Sequence, residues 1–496
     1  MSCLGNQIII MYEKGVVTFG DWYKGQVKHP IYGFSRLQNV EVFENKGIAK
    51  IKNRSYLNYS TTQLPIAEVY DSYGNTYTLT GNTGVGVLYK NGVSLQAGLT
   101  NAWDIKIYRD YLWVANSSTL SAYGPLSSAS AQYFANIDTG YSAIYNGVLL
   151  VGQDDYLYRG NANAVAKIEV LTSGTPTVAP TVSVNKTALD IKDGEYCATL
   201  TEFGTKILVG VHGGASYFDR NTLPIAKLYP WNRQLGTLGN PGIADLPVDF
   251  GENGINSVKS HANKLYVSAG TQGNIYLTDS TNYTKIATLP YCDSGLLYNS
   301  TVYLNAIAIS SKGTLLVGVS TDLITGVRPG VYEIDINTSG YPIAYQTASS
   351  NTDGTLKIGF ISKKNFQELS IGWGNNASYG VDTSDFRMYP SYGAIIETPM
   401  VRVGGYNSKK TFQHIEWCLA DPLVSGQNIR ISYRRNNKEG YTLINTWGFN
   451  TLGGVISFED KGAITNCEYV QLKIELDQDI TATFGYNVSL ISVKLW

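Results

Sequence analysis

Seven carboxylates in three short stretches are the residues of this chain that acid–base chemistry would call on: Asp154 and Asp155 in QDDY, Asp245, Asp249 and Glu252 in DLPVDFGEN, and Asp382 with Asp385. Glycoside hydrolysis needs two such groups about 5 to 10 Å apart, one as acid and one as nucleophile or base. None of the seven has a distinctive context, so solvated turn acids are the simpler reading. The S-x-D-x-G-x-x-W/F boxes of sialidases are absent, and no set of arginines is placed to clamp a sugar carboxylate. Asp245 to Asn253 offers oxygen ligands for Ca²⁺ but lacks the spacing of a calcium loop. The four histidines, His29, His212, His261 and His414, are dispersed. His212, in VHGG, is the one a strand would carry toward a face of the fold. There is no GxSxG, HExxH, P-loop or helix-opening GxGxxG. No catalytic residue, cofactor or metal site is therefore assigned. Trp22, Trp103, Trp113, Trp231 and Trp373 would supply flat faces for sugar rings, although protein contact or core packing explains them equally well.

The elements that would position these residues repeat. An apolar strand, a tight turn, a second apolar strand ending in Gly or Ala and a short Tyr-bearing strand recur seven times between Ile66 and Asp382. Clear copies are Lys206 to Asp219 (KILVGVHGGASYFD) and Lys264 to Asp279 (KLYVSAGTQGNIYLTD). Others begin at Asn75, Asp110, Gly147, Thr314 and Glu368. Their spacing of roughly 35 to 60 residues is that of four-stranded propeller blades. Leu208, Leu265 and Leu316 share one sheet face, and the unbroken apolar runs imply that both faces are covered. The recurrent Tyr reads as blade packing. Thr172 to Thr187 reads as a surface excursion or an extended outer strand.

The expected fold is all-β: a seven-bladed β-propeller over 61–389, then a C-terminal antiparallel β-sandwich, jelly-roll-like, over 390–496. In the latter, Ile429, Ile431 and Tyr433 alternate with Arg430, Ser432 and Arg434, and Trp496 would complete a last strand. Residues 1–60 form N-terminal strands, including a hairpin over Asn39 to Asn53 turning at Asn45 to Gly47. Ile48 to Lys52 would close the ring by joining the last blade. The alternative is that this segment crosses one face of the disc or reaches a neighbouring subunit.

Composition excludes several functions. Of 496 residues, 38 are Lys or Arg and 39 Asp or Glu, a net charge of −1, which leaves no basic footprint for nucleic acid. No apolar run approaches the roughly 18 residues of a transmembrane helix, and the N-terminus lacks the features of a secretory signal. Five scattered cysteines, Cys3, Cys197, Cys292, Cys418 and Cys467, read as buried thiols, with pairing of Cys418 and Cys467 left open. The N-x-S/T triplets at Asn116, Asn282, Asn376 and Asn487 are what so Asn-, Ser- and Thr-rich a chain contains by chance. The 434–440 stretch RRNNKEG reads as an exposed hairpin tip.

Several phrases resemble a class of tailed-bacteriophage virion proteins with a propeller and a C-terminal sandwich. They are DWYKG, GNTGVGVLYKNG, LWVANSSTLSAYG, the long phrase from Lys410 (KTFQHIEWCLADPLVSGQNIRISYRRNNKEGYTLI) and EYVQLKIEL. Pro422 to Gly426 supplies the P-L-x-S-G turn that such proteins place before an alternating strand. The resemblance covers most of the chain and brings no catalytic residues with it. It implies a non-enzymatic, tail-associated structural component, assembled in the host cytoplasm and localised in the virion. Its partners would be other virion proteins and copies of itself, with neither nucleic acid nor membrane insertion. The alternative is a carbohydrate-binding adhesin or polysaccharide depolymerase that meets host-surface glycan.

Overall fold

Side chains alternate between the two faces of a strand, so a strand apolar at every position must be covered on both faces. Lys206–Gly213 behaves in this way. Ile207, Val209 and Val211 pack with Val148, Tyr158 and Leu189, whereas Leu208 packs on the opposite side with Ile255 and Leu265. Tyr111–Asn116 repeats the arrangement, with Leu112 and Val114 in one core cluster and Trp113 and Ala115 in another.

These contacts belong to a computed structural model that describes residues 55–81, 85–143, 147–214, 223–236, 240–289, 300–321, 329–335, 343–345, 356–364, 368–375, 378–384, 393–398, 400–402, 410–435, 440–457, 464–467, 469–478 and 488–495, with strand segments 17–19, 36–38, 40–41 and 49–51. All regular structure among them is β-strand. The chain divides into two units: 57–330 with 347–383, and 1–56 with 331–346 and 384–496.

The first unit is a succession of small antiparallel sheets. Sheet A holds Pro65–Tyr70, Thr76–Thr80, Val85–Lys90 and Val93–Thr100. Sheet B holds Ala102–Tyr108, Tyr111–Asn116, Thr119–Gly124 and Gln132–Thr139. Sheet C holds Leu149–Val151, Leu157–Asn161, Ala164–Thr172 and Thr181–Asp190. Its last two strands make the Thr172 to Thr187 stretch a long outer hairpin. Sheet D holds Glu195–Phe203, Lys206–Gly213, Ala226–Trp231 and Val248–Asp249. Sheet E holds Ile255–His261, Lys264–Ala269, Asn274–Thr278 and Tyr283–Thr288. In sheet F, Ser300–Thr301 and Ile307–Ile309 both pair with Leu315–Thr321. Sheet G holds Lys357–Lys363, Leu369–Gly374 and Tyr379–Ser384, and its fourth strand is Ser55–Thr61.

The strand that completes sheet G is therefore not the expected Ile48 to Lys52. Ala49–Ile51 instead pairs with Val40–Glu41 and with Ser489–Leu495 in the other unit. Ser55–Thr61 suits an outer edge, because Leu57, Asn58 and Ser60 are exposed, as an outermost strand allows.

A β-bulge recurs near the start of the first strand in five sheets, at Pro65/Ala67, Ala102/Asp104, Cys197/Thr199, Ile255/Ser257 and Ile358/Phe360. Beside it, the glycine that ends a repeated apolar run leaves room for the next sheet. A Cβ on Gly210 would lie 2.8 Å from Ile255 Cγ2, and one on Gly318 would lie 2.3 Å from Ile358 Cγ2.

In the second unit one sheet runs Val40–Glu41, Ala49–Ile51, Ser489–Leu495, His414–Leu419 and Gly453–Ser457, with Val17–Phe19 also on Ser489–Leu495. Another joins Arg36–Gln38, Ala394–Glu397, Tyr469–Gln478, Gln427–Arg435 and Thr442–Trp447. One core draws on both, with Ile415, Trp417 and Val493 from the first and Ile396, Ile431 and Ile474 from the second. The pairing at Val40↔Ile51 forms the expected hairpin. The alternation from Ile429 is broken by a register shift at Ile431/Ser432, which buries Ser432 as well. Cys197, Cys418 and Cys467 are all free thiols. Trp22, His29, Cys3, Cys292, Asn45 to Gly47, Asn376, Asp385, residues 436–439, Asn487 and Trp496 lie outside the described residues.

Sheets A and G are tied through Glu68. This buried carboxylate accepts hydrogen bonds from Tyr70 Oη, Thr78 Oγ1 (2.9 Å) and Ser362 Oγ (3.2 Å). Tyr59 of the completing strand reaches Thr78 at 2.5 Å. Burial raises the Glu68 pKa, and its hydrogen bonds offset part of that rise. A carboxyl whose pKa is raised by folding stabilises the fold fully below its unfolded value of about 4.3, and that contribution is lost as pH rises through the folded value. Glu68→Gln should therefore flatten the dependence of this unit's melting temperature on pH between 4 and 8. Glu68→Ala should cost about 1–3 kcal/mol at every pH, because it strands three donors. Thermal unfolding across that range checks both.

Candidate functional site

The innermost strands of the first unit line a common cavity of about 1100 Å³. Their matching registers bring side chains that are distant in sequence to one wall. The segment Leu304–Asn305 crosses the cavity at the end where these strands begin. Asn305 Nδ2 donates to Ile66 O of sheet A (3.1 Å) and to Asp104 Oδ1 of sheet B (3.2 Å), while Asn305 O accepts from Ile361 N of sheet G (2.9 Å). Leu304 O accepts from Ser257 Oγ of sheet E at 2.5 Å, and its side chain packs on the core between sheets C and D. Asp104 is 1% exposed. It also accepts from Leu149 N of sheet C (3.0 Å) and pairs with Lys106 (3.0 Å).

The other end is cationic. Lys106 and Lys259 occupy matching places, each two residues beyond the residue that follows its strand's bulge. Lys312, Lys363 and His261 also line this end, with Thr201, Ser260, Ser311 and Ser362 supplying hydroxyls. The acidic residues of the lining are Asp104 and Glu68. Lys259 projects into the cavity, reached by solvent but enclosed by protein on most sides, and burial followed by the charge of Lys106 lowers its pKa. No carboxylate among the described residues pairs with it.

Of the carboxylates singled out in the sequence, the six among the described residues serve separate local contacts, and none of these six lines this cavity. Asp154 accepts from Tyr158 Oη (2.6 Å) and faces Lys167. Asp155 pairs with Arg109, and Asp245 with Lys206 at 2.7 Å. Asp249 Oδ1 accepts from Gly251 N, and Glu252 Oε1 accepts from Asn274 Nδ2 (2.7 Å) and Tyr276 Oη (2.5 Å). Asp382 accepts from Trp373 Nε1 at 2.5 Å. His212 is buried against Gly213 O and the Tyr196 ring. Trp103, Trp113, Trp231 and Trp373 are all buried, so none offers a plane to a sugar.

The recurrent tyrosines prove to be corner braces. Tyr77, Tyr158, Tyr229 and Tyr276 donate to Asp71 (3.1 Å), Asp154 (2.6 Å), Glu195 (2.6 Å) and Glu252 (2.5 Å). The cavity lysines escaped sequence reasoning because each repeat was anchored on its second strand. Aligning the first strands AWDIK and INSVK stacks Lys106 on Lys259, whereas in IGFISK that place is held by Ser362 and Lys363 follows it. Among the described residues no three His, Cys, Asp or Glu side chains form a metal-binding group, and no helix is long and apolar enough to cross a membrane.

No family model and no curated protein matches this chain. Among solved structures, it is similar to the extracellular domain described as part of a hybrid two-component system of B. thetaiotaomicron, with 12% identity and a TM-score of 0.48 over 92% of this chain and 62% of the other. A second such domain from the same organism aligns at 14% identity and a TM-score of 0.44, over 79% of this chain and 47% of that one. This chain thus spans about half the length of that match. A virginiamycin B lyase from Staphylococcus aureus aligns at 10% identity and a TM-score of 0.41, over 67% of this chain and 99% of the lyase. At these scores the likenesses carry no argument.

Asn305 is the crossing point of the inner strands. Asn305→Ala should lower the stability of this unit by about 1–3 kcal/mol, because Asp104 and Ile66 O each lose a buried donor. Asn305→Asp should cost more at neutral pH, since it sets a second carboxylate beside Asp104, and should recover on acidification. Thermal unfolding at pH 7 and pH 4 distinguishes the two variants.

Proposed function

We propose that this chain is a non-enzymatic structural component of a bacteriophage virion, associated with the tail. On this reading sheets A to G are the blades of a seven-bladed β-propeller, and the two sheets around Trp417 form a C-terminal β-sandwich. The observation that carries the non-enzymatic reading is the use made of the acids. Among the described residues, Asp154, Asp155, Asp245, Glu252 and Asp382 each serve a different local brace, so none of them is paired with another as the acid and base of a hydrolase would be. Support for the virion comes from the phrases beginning DWYKG and KTFQHIEW. A rigid ring of sheets presented in many symmetric copies is suited to multiple weak contacts that add through effective concentration.

The rival reading, a glycan-binding adhesin or depolymerase, would need stacking planes that the buried tryptophans do not provide. Light scattering on the purified chain, followed by cryo-electron microscopy of particles that contain it, separates the two. The expected result is ordered, symmetric copies in the particle, touching other virion proteins mainly through residues 1–60 or 390–496. A monomer absent from particles that binds or cleaves host polysaccharide would overturn the proposal.

A further inference from the structure

The cationic end of the cavity holds one lysine, Lys259, that no ion pair among the described residues accounts for. Ammonium groups gathered at one wall repel one another, and low-dielectric walls focus their field into the space between. Lys106 is compensated by Asp104. Lys259, in the matching place on sheet E, has no ion-pair partner among the described residues, and the remaining acid of the lining, Glu68, is taken up by Tyr70, Thr78 and Ser362. The hydroxyls of Thr201 and Ser260 line the same space, so hydroxyl donors and Lys259 share a region in which no carboxylate of the described residues pairs with Lys259. The volume of about 1100 Å³ is at the upper end of small-molecule sites, which run from about 300 to 1000 Å³. Aromatic residues contribute little to the lining, because Phe360 is fully buried and the Tyr70 hydroxyl is bound to Glu68. This leaves charge and hydrogen bonding, rather than stacking, to recognise a ligand.

From this geometry we infer that the cavity binds a small oxyanion ligand, one bearing phosphate, sulfate or several carboxylates, with Lys259 as its principal anchor and Lys363 as a second cation. An anion seated there gives Lys259 a counter-charge in a place where burial, followed by the charge of Lys106, holds its pKa below the usual lysine range. Charge-assisted hydrogen bonds of this kind are the stronger class. The site lies within one unit of the chain and does not depend on the virion proposal.

Isothermal titration calorimetry of the full chain at low ionic strength, with inorganic pyrophosphate, sulfate and citrate as probes, tests the inference. At least one probe should bind at a single site with Kd of about 1 mM or tighter, and which one it is identifies the anion class. Lys259→Met should weaken binding by roughly tenfold or more, while its melting temperature holds or rises because an uncompensated charge has been removed. Lys363→Met provides an independent loss should Lys259→Met fail to fold. Lys285→Met, an exposed lysine on the last strand of sheet E, should leave affinity unchanged. Absence of saturable binding by all three probes would overturn the inference, as would equal affinity in wild type, Lys259→Met and Lys363→Met. Calorimetry on the isolated chain and imaging of particles are separate readouts, so either proposal can fail without the other.

Discussion

The first unit depends on a polar crossing at Asn305. Where the inner strands begin, Asp104 is buried, and a buried polar group without a partner costs about 1–3 kcal/mol. Asn305 and Asp104 answer this by engaging sheets A, B, C and G within a few ångströms. Leu304 O adds sheet E through Ser257. Because one carboxylate and one amide satisfy several strands at once, the inner strands of sheets A, B, C and G are tied together at this point.

Register at the inner strands then determines what meets between sheets. The recurring bulges bend the first strands and re-aim their side chains, and the glycines facing them permit close approach. Gly210 lies against Ile255, and Gly318 against Ile358. Apolar runs such as ILVGV follow from the same geometry, because sheet D is covered by sheet C on one face and sheet E on the other. Glu68 brings sheet G to sheet A by a different means: a buried acid, held by hydroxyls from both sheets, with Tyr59 of the completing strand in the network.

The use of charge divides along the same lines. Acids at the sheet corners hold tyrosine hydroxyls or lysines, and acids at the crossing hold backbone and amide groups. At the far end of the cavity, Lys259 has no ion-pair partner among the described residues. A chain with nearly balanced charge overall thus carries a local imbalance that its net charge conceals, which explains why composition excludes a nucleic-acid partner yet is silent about a small anion.

Strand content, the repeated unit and the double-sided apolar pattern were legible in residues such as Ile207 to Val211 and Leu265 to Ala269, because side-chain alternation is a local property of the backbone. The hairpin at Val40 and Ile51 was legible for the same reason. Which strand completes sheet G was not: Ile48 to Lys52 and Ser55–Thr61 are separated by only two residues and both read as strand, and only hydrogen bonding to Tyr379–Ser384 distinguishes them. Nor could spacing reveal that Asp154, Asp245 and Glu252 serve separate braces, or that Lys106 and Lys259 face one cavity across more than 150 residues of chain. Periodicity is written along the chain, whereas partnership between distant side chains exists only once the sheets have packed.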